Sequence, residues 1–284
     1  MATPLAPCSV LVAVPVYNEQ KHVANVIERV TRHADCVLVV DDGSTDYTPM
    51  LLAMQAVDVI RHKQNLGYGR SIRDAFRWAE SYGYKWLITM DCDDQHEPEA
   101  LPRFFEAIAA DDADIVSGTR YPEGFDAQPS DPGLAAPIDR RQINARVTQM
   151  VNDRLGLGIT DAFCGFRAYR VAGVDHDTLS VDGYAIPLQQ WVQAAAQGLR
   201  VREVPVPLIY NDPKRSFGGA LDDAEHRMRH YTEVFEREIA KVADRLPSGA
   251  VDGAHRVASS NGHSSSEVAG SSAKPAGCSP CGSG

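Results

Sequence analysis

The sequence has no apolar run of the length that a membrane-spanning helix requires, and its six cysteines show no spacing typical of a disulfide framework or a four-ligand zinc site. Residues 1–7 carry no basic segment, and the apolar run at 10–16 is too short for the core of a signal peptide. The net charge of −10 disfavours a general nucleic-acid binder, which normally presents a basic stripe. We therefore expect a cytoplasmic protein, either soluble or peripheral on the cytoplasmic face of the membrane.

The last part of the sequence is poor in the apolar residues that a packed core needs. Residues 247–284 are rich in Ser, Gly and Ala and have few aromatics, which predicts a disordered tail. Cys278 and Cys281 have the C-x-x-C spacing within this tail. We favour an inert segment over a redox or metal site there.

The rest has the composition of a globular protein, since 44% of the residues are hydrophobic and 23% are charged. Short apolar runs alternate with helical patterns in the first half, which predicts an α/β fold with a mostly parallel sheet and helices on both faces. Strands are predicted at 9–14, 36–40, 57–61, 85–90 and 113–117, and helices at 18–32, 47–55, 71–81 and 97–110. Polar clusters follow the strands, where open α/β sheets bind ligands.

The second half is expected to complete a single domain over residues 1–246. Residues 122–139 contain four prolines and no periodicity, which predicts a long functional loop. Helices are predicted at 140–155 and 187–197, and Pro205 and Pro207 make residues 200–209 an edge strand. Apolar residues at every third or fourth position predict an amphipathic helix at 221–246, which we expect to pack on the domain rather than lie on a membrane.

The strongest local signal is an acidic cluster after the predicted strand at 85–90. Asp91 and Asp93 are two positions apart, and Gln95 follows them. Their oxygen atoms can ligate one hard divalent cation, Mg²⁺ or Mn²⁺, while diphosphate oxygens complete its coordination. An acidic cap on the helix near Pro98 would explain one or two of these residues but not the whole cluster. We therefore predict a metal site at Asp91, Asp93 and Gln95.

Two further polar clusters lie at other strand ends. Asp41 and Asp42 follow the second strand, where a carboxylate can accept hydrogen bonds from a base or a ribose hydroxyl. Pro15 ends the first strand and leaves Tyr17 and Glu19 at the same edge. Either cluster alone could be turn or cap chemistry.

The three clusters, in this order, resemble the motifs of glycosyltransferase family 2, whose members have the GT-A fold. The resemblance covers about residues 9–220 and includes the Asn-Leu-Gly-Tyr-Gly stretch at 65–69. It implies a nucleotide-sugar donor and a DXD motif that binds Mg²⁺ or Mn²⁺ together with the diphosphate. The residues that it assigns to the donor are Pro15, Tyr17, Glu19, Asp41, Asp42, Gly69 and Asp91, and those around the metal are Asp91, Asp93 and Gln95.

Within the family, the sequence is most similar to dolichyl-phosphate mannosyltransferases and their bacterial polyprenyl-phosphate relatives. The motifs that carry this resemblance are Gln-His-Glu-Pro at 95–98, Gly-Thr-Arg-Tyr at 118–121, Arg-Arg-x-x-Asn at 140–144 and Asp-Ala-Phe-Cys-Gly-Phe-Arg-Ala-Tyr at 161–169. It implies inverting transfer of a sugar to a polyprenyl or dolichyl phosphate at the membrane surface. Mannose from GDP-mannose is our first choice of sugar, and glucose from the uridine donor is the second.

An acceptor phosphate is already anionic, so the resemblance implies cationic guides rather than a strong base. Arg120, Arg141 and Arg215 occupy the matching motifs. Asp161 occupies the place of a base or of a carboxylate that positions the acceptor. A helix cap or an ion pair with Arg167 would explain Asp161 equally well.

The sequence departs from this pattern in two places. The motif at Arg215 usually continues to a Ser-Lys pair after Gly218, whereas Gly219 and Ala220 follow here. A lysine contact to phosphate is therefore missing unless Lys214 replaces it. Many relatives also carry C-terminal membrane helices that this sequence lacks, and a membrane partner protein could bring the enzyme to its lipid.

Three alternatives remain. A family member with a soluble saccharide or alcohol as acceptor would need a true base, which would make Asp161 essential. A receiver-like signalling module also has acidic pairs at strand ends, but Asp41 and Asp42 follow the second strand here, and no strand-end lysine lies at the expected later position. A dinucleotide-binding dehydrogenase would need a G-x-G-x-x-G motif after the first strand, which is absent.

Overall fold

The computed structural model describes residues 9–93, 96–124, 137–209, 219–247 and 249–250, which form a seven-stranded sheet flanked by helices. The strands are β1 (Val10–Val16), β2 (Val37–Asp41), β3 (Asp58–Arg61), β4 (Trp86–Thr89), β5 (Ile115–Thr119), β6 (Arg167–Arg170) and β7 (Val201–Pro205). The α-helices are α1 (Val23–Thr31), α2 (Thr48–Leu52), α3 (Tyr68–Ser81), α4 (Leu101–Ala109), α5 (Ile138–Leu155), α6 (Ile186–Ala196) and α7 (Ala224–Lys241).

The strand order across the sheet is β3-β2-β1-β4-β6-β5-β7. Neighbouring strands are parallel except at β6, which runs antiparallel to both β4 and β5. Because β6 reverses between them, β4 and β5 point the same way, and the carboxyl ends of the other six strands meet at one edge. This confirms the predicted α/β class with a mostly parallel sheet.

The alternation of side chains along β1 shows how the sheet separates two apolar cores. Leu11 and Ala13 belong to one core and Val12 and Val14 to the other, and all four are fully buried. The first core is covered by α3, α5, α6 and α7, and the second by α1 and α4. A strand that is buried on both faces needs apolar residues at consecutive positions, which explains its unbroken apolar sequence.

The predicted elements have the right type, but several begin or end elsewhere. α1 begins at Val23 rather than at residue 18, because the Glu19 carbonyl accepts the N–H groups of His22 and Val23 and closes a separate turn. α3 begins at Tyr68, before the predicted start at residue 71. The predicted helix at 221–246 is interrupted at both ends, where short 3₁₀ turns flank α7.

The C-terminal elements pack as the sequence predicts. β7 is an edge strand, although it ends at Pro205 rather than at residue 209. α7 contacts α5 and α6 through a buried face that includes Tyr231 and Phe235, which confirms a helix that packs on the domain. Among the described residues, no helix is both long enough and apolar enough to cross a membrane.

Two predictions fall mostly outside the described residues. The predicted loop at 122–139 is described only at 122–124 and 137–139, and α5 already begins at Ile138. The predicted tail is described only at positions 247, 249 and 250. Both the loop and the disordered tail stay predictions.

Candidate active site

A cleft of about 760 Å³ runs along the carboxyl edge of the sheet. Its walls come from the turns after β1, β2, β4 and β5, from the start of α3, and from α5 and α7. Ligand clefts are expected at this edge in an α/β sheet. The predicted site residues that line it are Pro15, Tyr17, Glu19, Asp42, Asp91, Asp93 and Arg120.

The remaining predicted residues do not contribute to the described wall of the cleft. Gln95 and Arg215 lie outside the described residues, so their roles stay predictions. Those that the structure describes but places elsewhere are Asp41, Gly69, Arg141 and Asp161.

Asp91 lies directly after β4 on the floor of the cleft. Its carboxylate packs on Gly165, where an added Cβ would lie 2.5 Å from Asp91 Oδ2 and would displace the carboxylate from this position. The Tyr68 hydroxyl donates to Asp91 Oδ1 at 3.0 Å, and the Asp91 N–H donates to His96 Nδ1 at 3.0 Å. Asp93 is buried and lines the same cleft. Asp91 is therefore fixed from below, while 31% of its side chain remains exposed.

Tyr68 connects the floor of the cleft to α3. Burial and the neighbouring Asp91 carboxylate raise the pKa of Tyr68 well above its ordinary value, so the phenol keeps its proton and remains a donor. Its ring stacks on Tyr184 with a centroid distance of 5.8 Å. The resemblance includes the stretch at 65–69, but it assigned a role there only to Gly69 and none to Tyr68.

The turn before Tyr68 is held by Asp42, at the end of β2. The Asp42 carboxylate accepts the N–H of Leu66 at Oδ1 and that of Gly67 at Oδ2, both at 2.8 Å. Gly67 has a φ of 103°, a conformation that glycine adopts far more readily than other residues. Asp42 therefore lines the cleft and also shapes the turn that carries Tyr68.

Asp41 and Gly69 have surroundings that differ from the predicted donor contacts. The Asp41 carboxylate is fully buried, where Oδ1 accepts the Ser44 N–H at 2.9 Å and Oδ2 lies 3.3 Å from Arg61 Nε. Successive side chains alternate between faces, which explains why Asp42 and not Asp41 faces the cleft. A Cβ at Gly69 would lie 2.2 Å from the Val181 carbonyl oxygen, so this glycine permits α3 to pack closely.

The turns after β1 and β2 hold each other at one end of the cleft. The Asn18 side chain accepts the Thr45 N–H at 2.9 Å, and the Asn18 N–H donates to Ser44 Oγ at 2.9 Å. Asn18 has a φ of 58°, in the left-handed region that Asn tolerates better than most residues. This pairing places Tyr17 and Glu19 in the cleft wall.

Arg120 comes directly after β5 and reaches the other end of the cleft. Its guanidinium forms a two-point ion pair with Asp161, with Nε–Oδ2 at 2.7 Å and Nη2–Oδ1 at 3.0 Å. Asp161 also accepts the Asn144 amide at 2.9 Å. Burial acts to raise the pKa of Asp161, but Arg120 and Asn144 hold it below its ordinary value. Burial acts to lower the pKa of Arg120, but the Asp161 carboxylate raises it well above its ordinary value.

The turn that carries Asp161 is anchored by Glu203 in β7. Glu203 accepts the N–H and the hydroxyl of Thr160, both at 2.8 Å, and the N–H of Asp161 at 3.3 Å. The Thr160 hydroxyl also lies 2.6 Å from Thr119 Oγ1. Two strands, β5 and β7, therefore fix the position of the Asp161 carboxylate beneath Arg120.

Arg167 is not the partner of Asp161. Its guanidinium stacks on the Trp191 ring, 4.3 Å from the centroid, and donates to the Ala162 carbonyl at 2.6 Å. The alternative in which Asp161 pairs with Arg167 is therefore wrong, because Asp161 forms its ion pair with Arg120.

A second arginine of the cleft wall is Arg140, on α5. The sequence-based choice was its neighbour Arg141, which is not among the described residues that line the cleft. Adjacent residues of an α-helix point about 100° apart, and the face of α5 that carries Asn144 to the cleft also carries Arg140.

Arg227, on α7, is a third arginine of the wall that the sequence analysis missed. Only 3% of its side chain is exposed, and its guanidinium donates to Asp139 at 2.8 Å. The available signal was its spacing, since Arg227 lies four residues before Tyr231 on the buried face of the helix.

The walls near these arginines are partly apolar. Phe163 and Tyr231 contact each other with ring centroids 4.7 Å apart, and Ile143 and Tyr184 line the same cleft. The cleft therefore has carboxylates on its floor and guanidinium groups among apolar side chains at one end. Such an arrangement can hold a cation together with one anion, and a second anion that bears an apolar group.

Known proteins share this sequence pattern. Residues 11–177 match Glycosyl transferase family 2. The chain is 31% identical to undecaprenyl-phosphate mannosyltransferase of Micrococcus luteus over 228 residues. This match covers 76% of this chain and 90% of that protein. It is 33% identical to polyprenol monophosphomannose synthase of Mycolicibacterium smegmatis over 211 residues. This match covers 69% of this chain and 76% of that protein.

The fold is similar to that of glucosyl-3-phosphoglycerate synthase of Mycobacterium tuberculosis, whose structure contains Mn²⁺, uridine diphosphate and glucosyl-3-phosphoglycerate. The TM-score is 0.60 at 15% identity, over 84% of this chain and 80% of that one. At this identity the likeness is one of fold, and it confirms the predicted GT-A fold. With the family match and both relatives in agreement, the chain belongs to glycosyl transferase family 2 and is a glycosyltransferase.

Proposed function

We propose that this enzyme moves a sugar from a nucleoside diphosphate donor to the phosphate of a polyprenol, with a divalent cation on the donor diphosphate. The proposal rests on the different side chains at the two ends of the cleft. Asp91 and Asp93 lie on its floor, and Arg120 and Arg140 line the wall that also contains aromatic residues. The first end suits a cation with a diphosphate, and the second suits an acceptor phosphate attached to an apolar chain.

The names of the two relatives support this acceptor and favour one sugar. One relative is named for undecaprenyl phosphate and the other for polyprenol, and both are named for mannose. We infer mannose as the transferred sugar and GDP-mannose as the donor. In this assignment the nucleoside lies along Pro15, Tyr17 and Glu19, where the turns after β1 and β2 form the cleft wall.

The residues around Asp91 fit a cation that is shared with the donor. Within the described part of the chain, no group of three or more His, Cys, Asp or Glu could hold a metal alone. Asp91 and Asp93 would therefore supply part of the coordination of Mg²⁺ or Mn²⁺, and the diphosphate and the predicted ligand Gln95 would supply the rest. When bound, the cation neutralises the charge that develops on the departing diphosphate.

The acceptor phosphate needs orientation more than it needs a base, because its oxygens are already anionic. Arg120 and Arg140 supply cationic groups at the cleft wall, and Arg227 supplies a third on α7. In the transfer step a phosphate oxygen forms a bond to the anomeric carbon while the bond from that carbon to the diphosphate oxygen breaks. Attack from the face opposite the leaving group inverts the anomeric centre.

Asp161 acts through Arg120 in this proposal. Both of its carboxylate oxygens accept hydrogen bonds from the guanidinium, and it is not part of the described cleft wall. Removal of either partner would leave a buried charge unpaired, at a cost of about 3–5 kcal/mol. A soluble hydroxyl acceptor would need a base that faces the cleft, so these contacts favour the phosphate acceptor.

The acceptor class can be tested directly with the wild-type enzyme. With GDP-mannose and Mn²⁺, we expect transfer to polyprenyl phosphate in detergent but not to the matching polyprenol or to saccharides, because the arginines recognise phosphate. Mass spectrometry of the products measures each transfer. Preferred transfer to a saccharide would refute the acceptor, whereas preferred use of UDP-glucose would change only the sugar.

The metal site predicts a sharp difference between neighbouring residues. Asp91→Asn and Asp93→Asn are expected to lower kcat/KM for the donor at least about 100-fold, because each removes a charged oxygen ligand. Cys92→Ala removes no oxygen ligand and is expected to keep most activity. Initial rates with Mn²⁺ and with excess chelator provide the measurement. Undiminished turnover in chelator would exclude the cation from the reaction.

The face of α5 at the cleft predicts that Arg140 matters more than Arg141. Arg140→Gln is expected to raise the KM for polyprenyl phosphate about 10- to 100-fold, since it loses a charged contact to the phosphate, while the KM for the donor stays unchanged. Arg141→Gln is the matched control, with an expected change below about threefold. A larger effect at Arg141 than at Arg140 would place the acceptor on the other face of the helix.

A further inference from the structure

His62 lies just after β3, between Asp42 and the middle of α3. Its Nδ1 is 2.7 Å from Asp42 Oδ1, and its Nε2 is 3.0 Å from Asp74 Oδ2. Only 7% of the His62 side chain is exposed. Its backbone N–H donates to the Asp41 carbonyl at 2.9 Å, which continues the pairing of β3 with β2 and fixes the residue at the sheet edge.

Each ring nitrogen of His62 lies within hydrogen-bond distance of a carboxylate oxygen. Burial acts to raise the pKa of Asp74, but Arg70, Arg77 and His62 hold it below its ordinary value. Asp42 in turn accepts two backbone N–H groups as well as His62. His62 therefore bridges the carboxylates of Asp42 and Asp74.

A short chain of contacts leads from His62 to the floor of the cleft. His62 and the Leu66 N–H share Asp42 Oδ1, and the Gly67 N–H takes Oδ2. The next residue, Tyr68, donates its hydroxyl to Asp91 at 3.0 Å. Asp42 also lines the cleft, so without His62 its carboxylate could turn toward solvent and release the Leu66 turn.

We propose that His62 is a positioning residue of the donor site: it holds Asp42 in the orientation that keeps the Tyr68 hydroxyl on Asp91. The inference rests on the proposed role of Asp91 as a cation ligand. It adds a support behind the cleft wall, and replacing a group that orients a metal ligand typically lowers metal affinity or activity about 10- to 100-fold.

Two substitutions at His62 separate this role from general stability. The amide nitrogen of Asn lies near the position of His Nδ1, and that of Gln lies near Nε2. His62→Asn therefore keeps a donor to Asp42 and loses Asp74, whereas His62→Gln keeps Asp74 and loses Asp42. Both variants lose one contact, so we expect similar decreases in Tm.

Only His62→Gln is expected to weaken the Mn²⁺-dependent binding of GDP, by about 10- to 100-fold. Isothermal titration with GDP, in Mn²⁺ and in chelator, measures this difference, and UDP replaces GDP if the wild-type protein binds only UDP. His62→Asn is expected to bind within about threefold of wild type. Equal binding losses in both variants, or no loss in His62→Gln, would overturn the inference.

Tyr68→Phe tests the pathway, because it removes the hydroxyl that contacts Asp91. Tyr68→Phe alone should match the loss in His62→Gln, and the double variant should lose no more, since both changes act through one bond. Additive losses would show that His62 does not act through Tyr68.

Asp91→Asn separates failure of this inference from failure of the proposed function. If Mn²⁺-dependent binding survives in Asp91→Asn, the proposed cation site is wrong and the inference falls with it. If Asp91→Asn abolishes that binding while His62→Gln does not change it, only the role of His62 is refuted.

Discussion

The site depends on holding one carboxylate still at the end of a buried strand. Asp91 follows β4, and its carboxylate rests on Gly165, where an added Cβ would displace it. A partly buried carboxylate is costly without hydrogen bonds, and the protonated hydroxyl of Tyr68 supplies one from below. The other side of Asp91 opens to the cleft, so the charge is directed toward the place where a cation would bind.

The same arrangement recurs around the cleft, where several charged groups of the wall are held by a partner behind them. Asp42 is held by two backbone N–H groups and His62, and Arg120 is held by Asp161. Asp161 is in turn positioned through Glu203 in β7. Groups that are oriented before substrate binds need no reorganisation during the reaction, which is the condition under which such charges stabilise a transition state most.

The sequence predicted that the polar clusters after β1, β2 and β4 meet at the edge of the sheet, because strand ends are visible as polar clusters after apolar runs. It did not predict which member of a pair faces the cleft. Asp41 and Asp42 differ by one position in a strand, and Arg140 and Arg141 differ by one position in a helix, so a shift of a single residue turns the side chain away. A predicted strand or helix that is shifted by one residue therefore assigns the position facing the cleft to the wrong one of two adjacent residues.

Partners from distant parts of the sequence could not be predicted either. Asp161 pairs with Arg120 from another strand, and nothing in the local sequence separates this pair from one with Arg167. His62 depends on Asp42 and Asp74 together, and that contact exists only after β2, β3 and α3 have packed. The family resemblance supplied the reaction class, whereas the supports behind the cleft wall required the structure.

The central claim is that Asp91 and Asp93 share a divalent cation with the donor diphosphate. The most direct measurement is anomalous diffraction at the manganese edge from crystals grown with Mn²⁺ and GDP. One peak is expected within about 2–2.5 Å of an Asp91 or Asp93 oxygen and of diphosphate oxygens. A diphosphate bound in the cleft with no manganese near either carboxylate would contradict it.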